Sequence, residues 1–128
     1  QFIKCIKLIE DLKTYLTMEA REFIFCFRKS ITKLEPKLSF TMQNHILINT
    51  IIPYFFLLGK STIQYRQKAL EIAEILPPEK NNIVDQMKLL GFSVKNSFDS
   101  QAVLEIYNEF CQKKKCLNCV VGSKIINS

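Results

Sequence analysis

Glycine, proline and histidine are scarce in this chain, and tryptophan is absent. The 128 residues include three Gly, four Pro, one His and no Trp. Turns that need glycine or proline must therefore be few, which argues against a β fold with many tight turns. The single histidine, His45, excludes a metal site built from paired histidines. We expect a helical protein with short connections.

Long uncharged apolar runs are missing as well. The longest, residues 46–58, is interrupted by Asn49, Thr50 and Pro53, and it falls short of the ~20 apolar residues that span a bilayer. Charges run through the N-terminal apolar pattern, which is unlike a secretory signal. The cysteine count is odd, at five, which disfavours a secreted disulfide framework. We predict a soluble, cytoplasmic protein without a membrane partner.

The residues that are present indicate an all-α fold. Hydrophobic residues make up 48% of the chain and charged residues 23%, a balance typical of one globular domain. Apolar residues recur at helical spacing and predict a compact bundle of about six helices with a cysteine-containing C-terminal loop. The predicted helices cover residues 2–16, 19–34, 41–58, 62–76, 78–91 and 97–111, with a short last helix after Gly122.

We interpret residues 1–128 as a single helical domain. The first predicted helix begins without a capping residue. For this reason we expect the chain to be the C-terminal fragment of a longer protein.

The third predicted helix, residues 41–58, is apolar nearly all round, which predicts burial on most of its faces. Pro53 lacks an N–H donor and should kink this helix. We expect Asn49 to be a buried amide that bonds to the backbone freed by Pro53. Gly59 is expected to end the helix in the left-handed conformation.

The strongest chemical pattern is Cys111-x4-Cys116-x2-Cys119. Two cysteines separated by two residues can bind one metal ion from a tight turn, and Cys111 can add a third thiolate. Structural zinc and most iron–sulfur clusters take four ligands. The fourth would come from solvent, from a missing part of the protein, or from one of Cys5, Cys26 and His45. The spacing predicts zinc or an iron–sulfur cluster here, with reduced thiols or an oxidation-induced disulfide as the alternatives.

A run of three lysines, Lys113, Lys114 and Lys115, lies inside the cysteine cluster. The run is typical of a solvated loop at a helix end, where cations suit the helix dipole. The alternative prediction is a contact with nucleic-acid phosphates. The net charge of +6 is modest and spread along the chain, so it does not by itself decide between the two.

No catalytic constellation is visible. Asp99-Ser100-Gln101 could suggest a nucleophile, but Ser100 has no basic residue near it in sequence. Asp99 fits the start of the sixth helix, which we place near Ser97 or Asp99. Glycine-rich phosphate loops and paired-histidine zinc motifs are absent. The sequence therefore leaves enzymatic activity open.

Four segments resemble, in order, a bacterial family catalogued as domain of unknown function 2851. They are residues 48–53, 76–81, 98–102 and 110–122, and the similarity covers about residues 40–126. The resemblance implies that this chain is the C-terminal helical part of longer proteins. Their N-terminal region resembles a restriction-endonuclease core, and some nucleases of that type carry an iron–sulfur cluster near the C-terminus.

Taken with the resemblance, these features predict an accessory or interaction domain of a larger, nuclease-like bacterial protein. Its predicted partner is the missing N-terminal part of that protein. The alternative is a structural domain that binds a metal or an iron–sulfur cluster through Cys111, Cys116 and Cys119.

Overall fold

The computed structural model describes residues 16–126, which fall into two compact units divided between Leu76 and Pro77. All regular elements of this part of the chain are helical, and no strand occurs among residues 16–126. The predicted all-α fold is confirmed. The first predicted helix lies outside the described residues except for its last residue. The single-domain prediction stays a prediction, and each unit is described by itself.

The described part of the first unit contains the helices α1 (Ala20–Leu34), α2 (Phe40–Ile46), α3 (Ile52–Leu58) and α4 (Ile63–Ile75). Helices α1 and α4 begin and end within one residue of their predicted bounds. Two prolines explain this agreement, because the residue before a proline resists the helical conformation. Leu76, directly before Pro77, is extended with ψ 142°.

A π-helical turn, Leu47–Ile51, joins α2 to α3, so residues 40–58 form one continuous helix. The Ile52 N–H donates to the Leu47 carbonyl, five residues earlier, where an α-helix would bond four residues back. Pro53 has no N–H, and its ring would clash with a carbonyl of the preceding turn. The wider turn accommodates Pro53 without ending the helix.

This continuous helix buries one face and exposes the other. Leu47 and Phe55 are 0% and 1% exposed, whereas Phe40 and Leu57 are each 57% exposed. Asn49 is exposed, and its amide donates to the His45 carbonyl at 3.1 Å. The expectation that Asn49 is buried and bonds to backbone freed by Pro53 is wrong. The amide instead bonds one turn back along its own helix, on the open face.

The core of the first unit is built around aromatic side chains. The ring centroids of Phe23 and Phe55 are 5.5 Å apart, and those of Phe55 and Tyr65 are 5.9 Å apart. Such tilted pairs add to the stability gained from burial. Helix α4 completes this core with Ala69, Ile72 and Ala73, and Leu76, directly after the helix, adds to it.

Gly59 ends α3, as predicted, but in a different conformation. Its φ is −64°, in the right-handed helical region, so the expected left-handed conformation is wrong. A Cβ at this position would lie 2.9 Å from the Cβ of Arg66 and 3.2 Å from the Phe55 carbonyl oxygen. Glycine is needed here because α4 approaches the end of α3 closely.

The described part of the second unit contains α5 (Asn82–Leu89), α6 (Ser97–Ile106) and α7 (Val120–Ile126). A π-helical turn, Tyr107–Cys111, continues α6 to its predicted end. The last helix begins before Gly122 instead of after it. The buried hydrophobic residues described in this unit are few: Val84, Met87, Val103 and Cys119.

Helix α5 begins later than its predicted start at Pro78 or Glu79. Asn81 caps it, because its side-chain oxygen accepts the Ile83 N–H at 2.8 Å. The Glu79 N–H is engaged elsewhere, by the Ser100 hydroxyl. Gly91 follows the helix in the left-handed region, with φ +93°. Among residues 16–126, no helix is both long enough and apolar enough to cross a membrane.

Candidate functional site

The three C-terminal cysteines are brought together by a reversal of the chain after α6. The Gln112 N–H donates to the Tyr107 carbonyl at 2.8 Å, and the Lys115 N–H donates to the Phe110 carbonyl at 2.9 Å. Lys114 takes a positive φ of 53°, which turns the backbone. A 3₁₀ turn, Cys116–Asn118, then leads into α7. Cys116 and Cys119 are joined by the Cys119 N–H, which donates to the Cys116 carbonyl at 3.2 Å.

All three cysteines line one apolar cavity of about 290 Å³. Side chains from α5, the following loop, α6 and α7 complete its wall. They are Met87, Leu90, Phe92, Ile106, Phe110 and Val121. A volume near 300 Å³ is at the lower end of the range for small-ligand pockets, and an apolar lining is typical of them.

The thiols differ in their access to solvent. Cys111 and Cys116 are exposed, Cys119 is buried, and all three are free thiols, as is the half-buried Cys26 of the first unit. In the part of the chain that the structure describes, no group of three or more His, Cys, Asp or Glu residues is placed to hold a metal ion. The thiols therefore share a cavity without forming a ready-made ligand set, and the predicted metal site stays a prediction.

Gly122 sets the distance between α7 and the cysteine turn. A Cβ at this position would overlap the Cys116 carbonyl oxygen and lie 3.1 Å from the Cys116 carbonyl carbon. A larger residue would push α7 away and open the cavity. The close approach at Gly122 could not be predicted from the sequence, because no local pattern distinguishes a glycine in a close contact from one that is flexible.

The lysine run lies on the exposed loop beside the cavity wall. Lys113, Lys114 and Lys115 are all exposed. The Lys113 ammonium contacts the Glu109 carboxylate at 2.6 Å. This hydrogen bond, together with the charge of Lys113, holds the pKa of the Glu109 carboxyl below its ordinary value. The predicted contact of this loop with nucleic acid stays a prediction.

Several large apolar side chains that line the cavity, or directly neighbour its lining residues in sequence, are exposed to solvent. Leu90 lines the cavity, yet it is 74% exposed, and its neighbour Leu89 is 89% exposed. Leu117 and Val120, on either side of buried Cys119, are 77% and 73% exposed. Helical spacing from Met87 would place Leu90 on the buried face, but Val84 and Met87 are the buried residues of α5. We call Leu89, Leu90, Leu117 and Val120 the leucine rim.

The segment Asp99-Ser100-Gln101 has a structural role. The N-cap of α6 is Asn96, whose side-chain oxygen accepts the Asp99 N–H at 2.9 Å. Asp99 in turn accepts the Lys95 N–H at 2.9 Å. This differs from a capping box, because the Asp99 carboxylate accepts the N–H of Lys95, one residue before the cap, and not that of Asn96 itself. The segment lies in the first turn of α6, as predicted, with Asn96 and not Ser97 or Asp99 as the cap.

The first unit exposes a second apolar and basic surface. Phe25 and Phe40 are 66% and 57% exposed. The guanidinium of Arg28 lies 4.0 Å from the ring centre of Phe40 and donates to the Asn44 side chain at 2.7 Å. Burial lowers the pKa of Arg28 below its ordinary value. This arrangement keeps the Phe40 ring in a fixed position on the surface.

Comparison with known proteins identifies one family. The family model "Protein of unknown function (DUF2851)" matches residues 1–82. This match includes the first forty residues, where the motif resemblance is weakest, and it ends before the segments 98–102 and 110–122 that also suggested the family. No curated protein and no solved structure matches the chain.

Proposed function

The chain belongs to the DUF2851 family of proteins of unknown function. We propose that it is an interaction domain that binds another polypeptide. The observation that carries this proposal is the leucine rim: Leu90 lines the apolar cavity, the other three members directly neighbour cavity-lining residues in sequence, and all four are between 73% and 89% exposed. Exposed apolar groups clustered around a concavity are typical of protein-binding surfaces.

The small core of the second unit also supports a protein-binding function. Only four of its described hydrophobic residues are buried, many others are half-buried, and the leucine rim is largely exposed. Covering Leu89 and Leu117 on binding would remove from water apolar area that folding leaves exposed. The exposed Phe25 and Phe40 of the first unit offer a second contact surface.

The partner, on this proposal, is the nuclease-like region that the family resemblance implies for longer bacterial members. The protein would act in the cytoplasm, where thiols such as Cys111 and Cys116 stay reduced. The proposed role is to stabilise or regulate that region. Enzymatic activity of the chain alone forms no part of the proposal.

Site-specific photocrosslinking in the producing cell tests this function. A photoreactive amino acid replaces Leu90 or Leu117 in one set of variants, and exposed Gln64 or Gln67 in the control set. We expect adducts to one defined polypeptide segment from the rim positions and none from the controls. Equal labelling at both sets, or no adducts at the rim, would refute the proposal. The mass of the adduct identifies whether the partner is a nuclease-like region.

A second candidate function is metal binding by Cys111, Cys116 and Cys119. The observation in its favour is that all three thiols line one cavity. Because the described side chains do not form a three-ligand group, their thiolates would have to converge when zinc or an iron–sulfur cluster binds, with a fourth ligand from elsewhere.

Metal, iron and sulfide analysis of protein purified without oxygen or chelator tests this second candidate. About one zinc, or a cluster's worth of iron, per chain is expected from it. Cys116→Ser should then lose the metal, and Cys26→Ser should keep it. A metal-free, folded protein would rule this candidate out for the isolated chain.

A further inference from the structure

The cavity of the second unit is shaped to receive one large apolar side chain. Its volume is about 290 Å³, enough to admit such a side chain, and thiols and apolar groups form its wall. No charged side chain lines it. A polar or charged group placed there would lose its hydration without gaining hydrogen bonds.

The exposure of the leucine rim indicates that the occupant is larger than the cavity. A small molecule held inside would leave Leu89 and Leu117 in water, at 89% and 77% exposed. A partner that inserts one side chain and lies across the rim would cover these residues too. This is the pattern of a helix bound in a groove, with one residue as an anchor and its helical neighbours on the rim.

The positive charge of the chain segment beside the cavity favours a negatively charged partner. Residues 110–124 contain four lysines and neither Asp nor Glu. Lys113 is paired with Glu109, whereas the structure shows no ion pair for Lys114 or Lys115 among the described residues. Complementary charge raises the association rate and suppresses binding of basic partners.

From these observations, and resting on the interaction function proposed above, we infer that the second unit binds an acidic amphipathic helix. One large apolar residue of that helix enters the thiol-lined cavity, its apolar neighbours cover the leucine rim, and its carboxylates face Lys114 and Lys115. A lipid surface fits less well, because a bilayer takes up apolar groups that project into it and cannot fill a recess.

The cysteines provide the measurement, because an occupant of the cavity must shield them from alkylation. The metal-free purified chain is treated with a maleimide, and the rate at each cysteine is followed by mass spectrometry. The probe is a synthetic helical peptide of about 16 residues, with leucine at positions i, i+4 and i+7, glutamate at about four other positions and alanine elsewhere. The matched control peptide carries lysine in place of glutamate.

We expect the acidic peptide, at about ten times its Kd, to slow alkylation of Cys111 and Cys116 about tenfold. Cys26, in the first unit, should react at an unchanged rate. Leu90→Glu and Leu117→Glu should abolish the protection, whereas Leu57→Glu, at an exposed position of the first unit, should keep it. Lys114→Glu with Lys115→Glu should reverse the preference toward the lysine peptide, a result that simple loss of folding cannot give.

Several outcomes would overturn the inference. Equal protection by both peptides would mean an apolar contact without charge selection. Protection by phosphatidylglycerol vesicles and not by the acidic peptide would indicate a membrane surface. A concentration-dependent dimer that protects the thiols without peptide would identify a second copy of the chain as the occupant. If no peptide protects but photocrosslinks still form at the rim, the inference fails and the interaction function stands.

Discussion

Ser100 shows how a residue that could suggest catalysis can instead connect two segments. It is completely buried, and its hydroxyl accepts the Glu79 N–H at 3.2 Å and donates to the Ser97 carbonyl at 2.9 Å. Next to it, the Gln101 amide donates to the Glu79 carboxylate at 2.8 Å. Residues 77–81 are thereby tied to α6. These contacts give the segments 76–81 and 98–102 a structural role.

Replacing Ser100 with alanine should therefore destabilise the protein. The change removes the hydroxyl that bonds to the Glu79 N–H and to the Ser97 carbonyl, and each such hydrogen bond contributes about 0.5–1.5 kcal/mol to the unfolding free energy. Urea denaturation followed by circular dichroism measures this loss. Ser93→Ala, at an exposed position, is the matched control and should change the value by less than about 0.5 kcal/mol. Equal effects of the two substitutions would contradict the connecting role.

The Glu109–Lys113 pair makes a prediction about pH. Because Lys113 lowers the folded-state pKa of Glu109, the pairing contributes at pH values above the ordinary carboxyl pKa and is lost as the pH falls through the lowered pKa. Lys113→Met should raise the Glu109 pKa toward its ordinary value, as seen by carboxyl NMR titration at low salt. Lys115→Met, which removes a smaller influence on Glu109, should raise it less. An unchanged Glu109 pKa in Lys113→Met would refute the pairing.

At the scale of elements, the chain's few glycines serve close contacts as well as turns. Gly91 takes a positive φ after α5 and has open space around it, whereas Gly59 has helical dihedrals and a crowded surrounding. The two positions need glycine for different physical reasons. The helical pattern locates both glycines at helix ends but cannot separate these reasons, because the crowding comes from Arg66 on the next helix.

Gly59→Ala should lower the unfolding free energy by about 1–3 kcal/mol, because the new methyl group must displace backbone and Cβ atoms. The backbone dihedrals of Gly59 are compatible with alanine, so any loss of unfolding free energy reports the steric contact alone. Ser61→Ala, exposed in the same connection, should be close to neutral. Thermal unfolding of the two variants measures both effects. A stabilised Gly59→Ala would mean that α4 does not approach Gly59 as described.

Several elements could be predicted from local sequence because local signals determine them. The prolines at 36 and 77 fix the ends of α1 and α4, and Gly91 marks the end of α5. The start of α5 could not be predicted from local sequence, because Glu79, in the segment before the helix, is bonded to Ser100, a residue distant in sequence. The exposure of Asn49 also escaped prediction, because the π-helical turn rotates the residues that follow α2.

At the scale of the whole chain, the cysteine spacing predicted the location of the candidate site but not its form. Cys111, Cys116 and Cys119 all line one cavity, but the described side chains form no three-ligand group, and the predicted metal site stays a prediction. The leucine rim was missed because Leu90 fits the inward stripe of α5 by periodicity, and exposure depends on what the rest of the unit covers.

The central claim is that a partner covers this cavity and its rim in the cell. The most direct test compares maleimide alkylation of Cys116 in intact producing cells with that in the purified chain, with Cys26 as the internal reference. The account predicts that Cys116 reacts at least about tenfold more slowly in cells, that a cell-permeant chelator does not remove this protection, and that Leu117→Glu does. Equal relative rates of Cys116 and Cys26 in cells and in the purified chain would contradict it.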